Sequence, residues 1–108
     1  MGKFIITQRS NGEFRFKLLA ANGETILISE GYTTKAACES GIQSVKRSSQ
    51  VDSNFTRKTS PKGYYSFYPM AENGKRIGTS EIYASESGRE TGIYSVKINA
   101  KTEVVVPS

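Results

Sequence analysis

A chain of 108 residues with 36% hydrophobic residues and a net charge of +5 is long enough for one small domain, but each of two equal pieces would bury too little surface to stand comfortably alone. One cysteine and no histidine exclude an intramolecular disulfide and remove the commonest metal ligand and general acid–base group, and the single thiol fits a reducing, cytoplasmic setting. The apolar run at Met1–Ile6 is too short for a secretory leader, no stretch reaches the roughly 20 apolar residues of a membrane helix, and Ile6 stands where myristoylation needs Ser or Thr.

The first strand is predicted over residues 3–9, the second over 13–20 and the third over 24–29. Ser10-Asn11-Gly12 and Ala21-Asn22-Gly23 separate them, and Asn-Gly between alternating apolar residues is a strong hairpin signal. The apolar pattern selects three-residue loops. These pair Phe4 with Leu18, Ile6 with Phe16 and Gln8 with Phe14, then Leu18 with Ile26 and Phe16 with Ile28. That register puts Phe4, Ile6, Phe14, Phe16, Leu18, Ala20, Ile26 and Ile28 on one face, and a one-residue slip would turn the set outward. Loops of this kind close on a left-handed glycine, here Gly12 and Gly23, with Gly63 and Gly74 later in the chain. A helix follows Thr34, a good N-cap, and runs to about Ser48 with Ala37, Gly41, Ile42 and Val45 at helical spacing.

From residue 54 the pattern starts again. Strands are predicted near 54–59, 64–71 and 75–80, with Phe55, Tyr65, Phe67, Ala71 and Ile77 inward. Pro69 interrupts the middle one, where the missing N–H predicts an irregularity. A second helix follows Ser85 and runs to about Asn99 through Gly88, Gly92, Ile93 and Val96. Gly41 and Gly92 each cost about 1 kcal/mol against alanine within a helix, so each helix backbone should lie close to something. Lys46, Arg47, Lys97 and Lys101 complement the helix C-termini. Thr102–Val106 reads as a last short strand.

The two halves are one sequence written twice. Shifted by 51 positions, residues 3–48 fall on 54–99 without a gap. Asn22-Gly23-x-x-Ile26-x-x-Ser29-Glu30-x-Tyr32 falls on Asn73-Gly74-x-x-Ile77-x-x-Ser80-Glu81-x-Tyr83. Glu39-x-Gly41-Ile42-x-Ser44-Val45-Lys46 falls on Glu90-x-Gly92-Ile93-x-Ser95-Val96-Lys97. These strings resemble the YegP-like family of small bacterial and archaeal proteins over nearly the whole chain. The resemblance implies an α+β fold of tandem β-β-β-α-β repeats sharing one antiparallel sheet, with both helices on one face and C-terminal strands exchanged. Val104-Val105-Val106 would then pair with repeat 1. Pro69, Gly78 and Gly88 depart from the pattern, all in repeat 2. The expected organisation is a single domain, with repeat 1 at about 3–50 and repeat 2 at about 54–106. The family is uncharacterised, so the resemblance leaves the activity open.

Two surfaces are candidate sites. The first is the duplicated loop Ser29, Glu30, Tyr32 and Ser80, Glu81, Tyr83, since loops positioned by a scaffold carry function. Facing glutamates 5–10 Å apart would suit acid–base work. The competing reading is that Ser and Glu satisfy backbone groups while Tyr closes the core edge, and fold rules alone favour it. The second is the outer sheet face, predicted to hold Arg9, Arg15, Lys17, Leu19 and Leu27 with Lys58, Tyr64, Tyr68, Met70 and Arg76. Basic residues among aromatics on a sheet suit single-stranded nucleic acid. Against it, residues 1–50 carry seven Lys/Arg and four Glu, and residues 51–108 carry eight and six Asp/Glu, so the charge looks evenly spread. Cys38, in the first helical turn where the dipole lowers a thiol pKa, is matched by Arg89 and is not part of the shared design. The expected function is a non-catalytic binding or interaction module without cofactor or metal. Its partner would be a protein or a second copy, not a membrane. A weak nucleic-acid binder is the runner-up, and an enzyme using Glu30 and Glu81 the third reading.

Overall fold

The computed structural model describes residues 1–107. Repeat 1 forms β1 (Lys3–Gln8), β2 (Phe14–Leu19), β3 (Thr25–Ser29) and α1 (Lys35–Ser48); a 3-10 turn, Asp52–Asn54, leads into repeat 2. Repeat 2 forms β4 (Phe55–Thr59), β5 (Tyr65–Pro69), β6 (Gly78–Thr79) and α2 (Glu86–Asn99), and the chain closes with β7 (Val105–Pro107). Both helices start where the cap residues place them. Thr34 accepts the Ala37 amide and Ser85 accepts the Gly88 amide, each at 3.0 Å, which satisfies one of the free donors of each first turn. The four turn glycines sit at φ between 83° and 89°, the left-handed geometry of the predicted loops.

Strand order is β6-β3-β2-β1-β7, with β4 and β5 as a separate pair. The first hairpin has the predicted register, Phe4 opposite Leu18 and Ile6 opposite Phe16. The second does not. A bulge at Leu18/Leu19 pairs Leu18 with Leu27 and Lys17 with Ile28, in place of Leu18 with Ile26 and Phe16 with Ile28. A bulge adds one residue to one strand, so Ile26 and Leu27 both turn inward and Ile28 turns out. Leu27 therefore belongs to the core and not to the outer face.

The repeats meet at β3 and β6, where Ile28 pairs with Thr79. These are the same position of the two repeats, 51 residues apart, so a pseudo-twofold axis passes between them. Gly78 stands where repeat 1 has Leu27 because the strands crowd there. A Cβ on it would lie 2.6 Å from the Ile28 carbonyl oxygen. Pro69 produces its irregularity: β5 has no regular ladder to β6 and is joined to that segment by Ser80 N–H to the Phe67 carbonyl and Ile77 N–H to the Pro69 carbonyl, both 3.0 Å.

The C-terminal segment pairs with repeat 1, as the resemblance implied. Phe4 lies opposite Val105, and its amide donates to the Val104 carbonyl at 3.0 Å. The pairing is parallel, and β7 therefore runs antiparallel to β6, the strand that precedes it in the chain. The larger sheet is therefore mixed, not wholly antiparallel. A continuous core draws on both repeats: Phe4, Phe16, Leu18, Ile42 and Val45 with Phe55, Phe67, Ile93 and Val96.

One ionic cluster ties the start of repeat 2 to α2. Arg57 grips Glu90 through Nε at 3.1 and 3.0 Å and through a terminal nitrogen at 2.9 Å. It also reaches Asp52 at 3.2 Å, and Lys97 reaches the same carboxylate at 3.0 Å. Arg57 holds the Glu90 carboxyl below the usual range, and Lys97 followed by Arg57 does the same for Asp52. A carboxylate whose folded pKa is depressed stabilises the fold above its ordinary pKa and loses that contribution as the pH falls through the folded value. The melting temperature should therefore drop as the pH falls below about 4. Asp52→Asn with Glu90→Gln should melt lower than the parent at pH 7, and the gap should close near pH 2. Thermal melts across that range check this; a constant gap would remove the cluster from the acid limb.

Candidate functional site

The duplicated Ser-Glu-x-Tyr loop is built the same way twice. Ser29 Oγ accepts the Phe16 amide at 2.9 Å and donates to the Glu30 carbonyl at 2.8 Å. Ser80 Oγ accepts the Phe67 amide at 2.9 Å and donates to the Glu81 carbonyl at 2.7 Å. Each serine replaces a ladder partner where the strand leaves the sheet. Three residues on, the backbone of Tyr32 exchanges both hydrogen bonds with Phe14 at 2.7 Å, and that of Tyr83 pairs with Tyr65 at 2.7 and 2.9 Å.

The tyrosine rings explain the helix glycines. Tyr32 stacks on Phe16 with centroids 6.4 Å apart, and Tyr83 on Phe67 at 6.2 Å. A Cβ on Gly41 would overlap the Tyr32 hydroxyl and lie 2.7 Å from its Cζ; on Gly92 it would meet Tyr83 in the same way, 2.6 Å from Cζ. Each helix thus lies against a ring, and only a bare Cα leaves room for it. Burial, more than the carboxylates nearby, pushes both phenols above their ordinary pKa, so they stay protonated.

Glu30 and Glu81 are not brought together. They lie on opposite sides of the pseudo-twofold axis, each two residues beyond the Ile28–Thr79 pair. At about 3.3 Å per residue, that separates their backbones by roughly 13 Å along the strands. Glu30 pairs with Arg76 at 3.6 Å and lines a hollow of about 250 Å³ beside α1, whose lining does not include Glu81.

The outer face holds Arg15 and Lys17 as predicted, alternating with buried Phe16 and Leu18. Lys58 and Tyr68 share their side of β4 and β5, opposite buried Phe55 and Phe67. Tyr64 precedes β5 and is 52% exposed. Tyr68 is not a free ring, because the Arg76 guanidinium lies 4.5 Å from its centroid. Charge is less evenly spread than the sequence suggests. The strands contain Lys3, Arg15, Lys17, Arg57 and Lys58 and no Asp or Glu; all acidic residues lie in turns, loops and helices. Cys38 is wholly buried, and burial, then Glu39, pushes its thiol up to about 11, opposite to the lowering expected from the helix dipole. Among the described residues no cluster of three or more His, Cys, Asp or Glu is arranged to hold a metal. Among the described residues no helix is long and apolar enough to cross a membrane.

Residues 10–55 and 61–106 each match the family described as Domain of unknown function (DUF1508). The chain belongs to the DUF1508 family. The paired matches fit a tandem repeat. Among DUF1508 relatives, the UPF0339 protein YegP of Escherichia coli is 45% identical over 104 residues, 96% of this chain and 94% of that one. A UPF0339 protein from the 5′ region of the ptx operon of Stutzerimonas stutzeri is 45% identical over 105 residues, 97% of this chain and 95% of that one. The solution structure of yegP from E. coli, a protein of unknown function, superposes with a TM-score of 0.94 at 43% identity, covering 99% of this chain and 92% of that one. That of a UPF0339 protein from Shewanella oneidensis gives 0.94 at 37% identity, covering 98% and 90%. These relatives are uncharacterised, and no specific activity attaches to the DUF1508 fold through them.

Sequence reasoning missed the residues that complete the hollow beside α1, among them Ser40, Ser44, Asn73 and Lys75. The signal was present in the repeat alignment: Lys75 and Arg76 stand where repeat 1 has Glu24 and Thr25, a charge change inside an otherwise kept motif.

Proposed function

We propose that the chain is a non-catalytic binding module, working as one unit, that docks an acidic and partly apolar segment of another protein on its outer sheet face. The observation that carries this is the segregation of charge: the strands hold no Asp or Glu, and Lys3, Arg15, Lys17 and Lys58 stand on their outer side, while Arg57 is held by Asp52 and Glu90 on the helix side. Arg9 and Arg76 have carboxylate partners, whereas Arg15, Lys17 and Lys58 form no ion pair among the described residues. They share their face with the side chains of Ile5, Leu19 and Ile28, which are partly exposed. Unpaired cations among aliphatic side chains are complementary to carboxylates interleaved with apolar groups. Single-stranded nucleic acid is the less well supported occupant, since stacking needs open rings and Tyr68 already carries Arg76. The serine and tyrosine of both duplicated loops are committed to the backbone and the core, which supports a module without catalysis.

Titration of isotope-labelled protein with a synthetic peptide of alternating glutamate and leucine should shift amides of β1, β2 and β5. Affinity should fall at least tenfold in Arg15→Glu/Lys17→Glu and should weaken with salt. Binding of a single-stranded oligonucleotide in preference to the peptide would transfer the face to nucleic acid. Binding of neither at low salt would remove this face as the working surface.

A further inference from the structure

The hollow beside α1 supports an inference independent of the sheet face. It lies between α1 and the turn at Glu72–Arg76, so each repeat supplies one wall. A second hollow of about 190 Å³ adjoins it and shares Ser44, Ala71 and Asn73. The lining is mostly apolar or small: the Tyr32 ring, Ala37, Gly41, Ala71 and Ile77. The polar groups of the lining are the Tyr32, Ser40 and Ser44 hydroxyls, the Asn73 amide, the Lys75 ammonium and the paired Glu30 and Arg76. Arg76 is compensated by Glu30 at 3.6 Å and Arg47 by Glu72 at 3.8 Å, which leaves Lys75 as the uncompensated cation. The Tyr32 phenol is a protonated donor beside Gly41, and no hydrogen bond among the described residues engages it.

The pseudo-twofold axis supplies an internal comparison. Serine, tyrosine and helix glycine are kept in both copies, as the scaffold requires. The charged lining is not. Arg47, Lys75, Arg76, Glu30 and Glu72 of this cleft correspond to Ile98, Glu24, Thr25, Glu81 and Ala21 in the other copy. Three cations against two carboxylates become two carboxylates without a cation. At the repeat-related place Glu24 lies close enough to Tyr83 to add to the rise in its pKa, so the charge there is opposite. The geometry is common to both copies, and the cationic lining belongs to one of them.

We propose that the cleft between α1 and the Glu72–Arg76 turn binds a small monocarboxylate with an apolar body. The carboxylate would take the Lys75 ammonium and the Tyr32 and Ser44 hydroxyls, and the body would lie on the Tyr32 ring and Ile77. One uncompensated cation matches one negative charge, and the Tyr32 ring and Ile77 offer apolar surface that a carboxylate with an apolar body can use and phosphate cannot.

Benzoate, inorganic phosphate and benzyl alcohol are the probes. Benzoate added to isotope-labelled protein should shift the amides of Gly41, Ser44 and Lys75, and the other two should not. Lys75→Glu, which installs the residue found at the repeat-related place, and Tyr32→Phe, which keeps the ring, should each weaken benzoate at least fivefold. Glu24→Gln, at that place, should leave it unchanged. Amide spectra of the free variants confirm that they fold. Equal binding of phosphate or of benzyl alcohol, shifts elsewhere, or undiminished affinity in both cleft variants would each overturn the proposal.

Discussion

Gly41→Val should destabilise the protein by about 3 kcal/mol, although valine is the better helix former. Glycine inside α1 gives up about 1 kcal/mol against alanine, so a test of helix propensity alone expects a gain. Packing reverses the sign. A Cβ at this place overlaps the Tyr32 hydroxyl and lies 3.2 Å from Phe16 Cε2, and two branches on it cannot all be turned away. The ring cannot retreat, because it stacks on Phe16 on the core side and its backbone is pinned to Phe14 by two bonds of 2.7 Å. Gly92→Val should behave alike against Tyr83 and Phe67. The deciding measurement is a double-mutant cycle by denaturant unfolding. In a Tyr32→Ala background, Gly41→Ala should stabilise by several tenths of a kcal/mol or more, while in the parent it should destabilise. The same sign in both backgrounds would mean that the ring is not what excludes a side chain there.

How much of this was legible in the sequence depends on which force set each element. The first hairpin was readable because Phe4, Ile6, Phe16 and Leu18 are buried on one face of β1 and β2, and a slip would expose them together. The helix starts were readable because capping is local. The second hairpin was not, because Ile26, Leu27 and Ile28 are all aliphatic, and alternation cannot say which two of three consecutive apolar residues point inward. The tandem fold and the return of the last strand to repeat 1 came from the repeat and the resemblance. The parallel sense of that return did not, since a three-residue strand carries no directional mark of its own. At the candidate loop, Ser29 and Tyr32 were singled out for being kept twice, and what kept them is the backbone of β2 and the bare Cα of Gly41. The cleft residues, Lys75 foremost, were visible only as a difference between the copies, and a search for shared residues passes over differences. Charge segregation was hidden for a related reason: counting by halves of the chain averages strands with loops, and the strands hold no acid.

Removal of residues 101–108 should loosen repeat 1, although these residues come at the end of repeat 2 in the chain. β7 lies on the outer edge of β1, and the Phe4 amide depends on the Val104 carbonyl at 3.0 Å. At the corresponding place in repeat 2 the Phe55 amide donates to Asp52 of the preceding 3-10 turn, so that strand brings its own cover. Truncation therefore strips β1 and spares β4. It also removes Thr102, which is buried and bonds the Val104 amide through its hydroxyl at 3.1 Å. Losing a few backbone bonds at about 1 kcal/mol each is a large fraction of the margin of a domain this size. Amide exchange in the truncated protein should quicken in Lys3–Gln8 and Phe14–Leu19 by at least tenfold beyond any change in Phe55–Pro69. Uniform acceleration would indicate that β7 stabilises both repeats through the common core. Acceleration confined to repeat 2 would contradict the strand exchange itself. The edge also has a bearing on the proposed docking face: Ile5 of β1 pairs with Val106 and stands in the same sheet surface as Lys17, its partner in β2. A chain that lost β7 should lose affinity for the glutamate–leucine peptide together with protection at β1, and full affinity in the truncated protein would place the docking surface away from that edge.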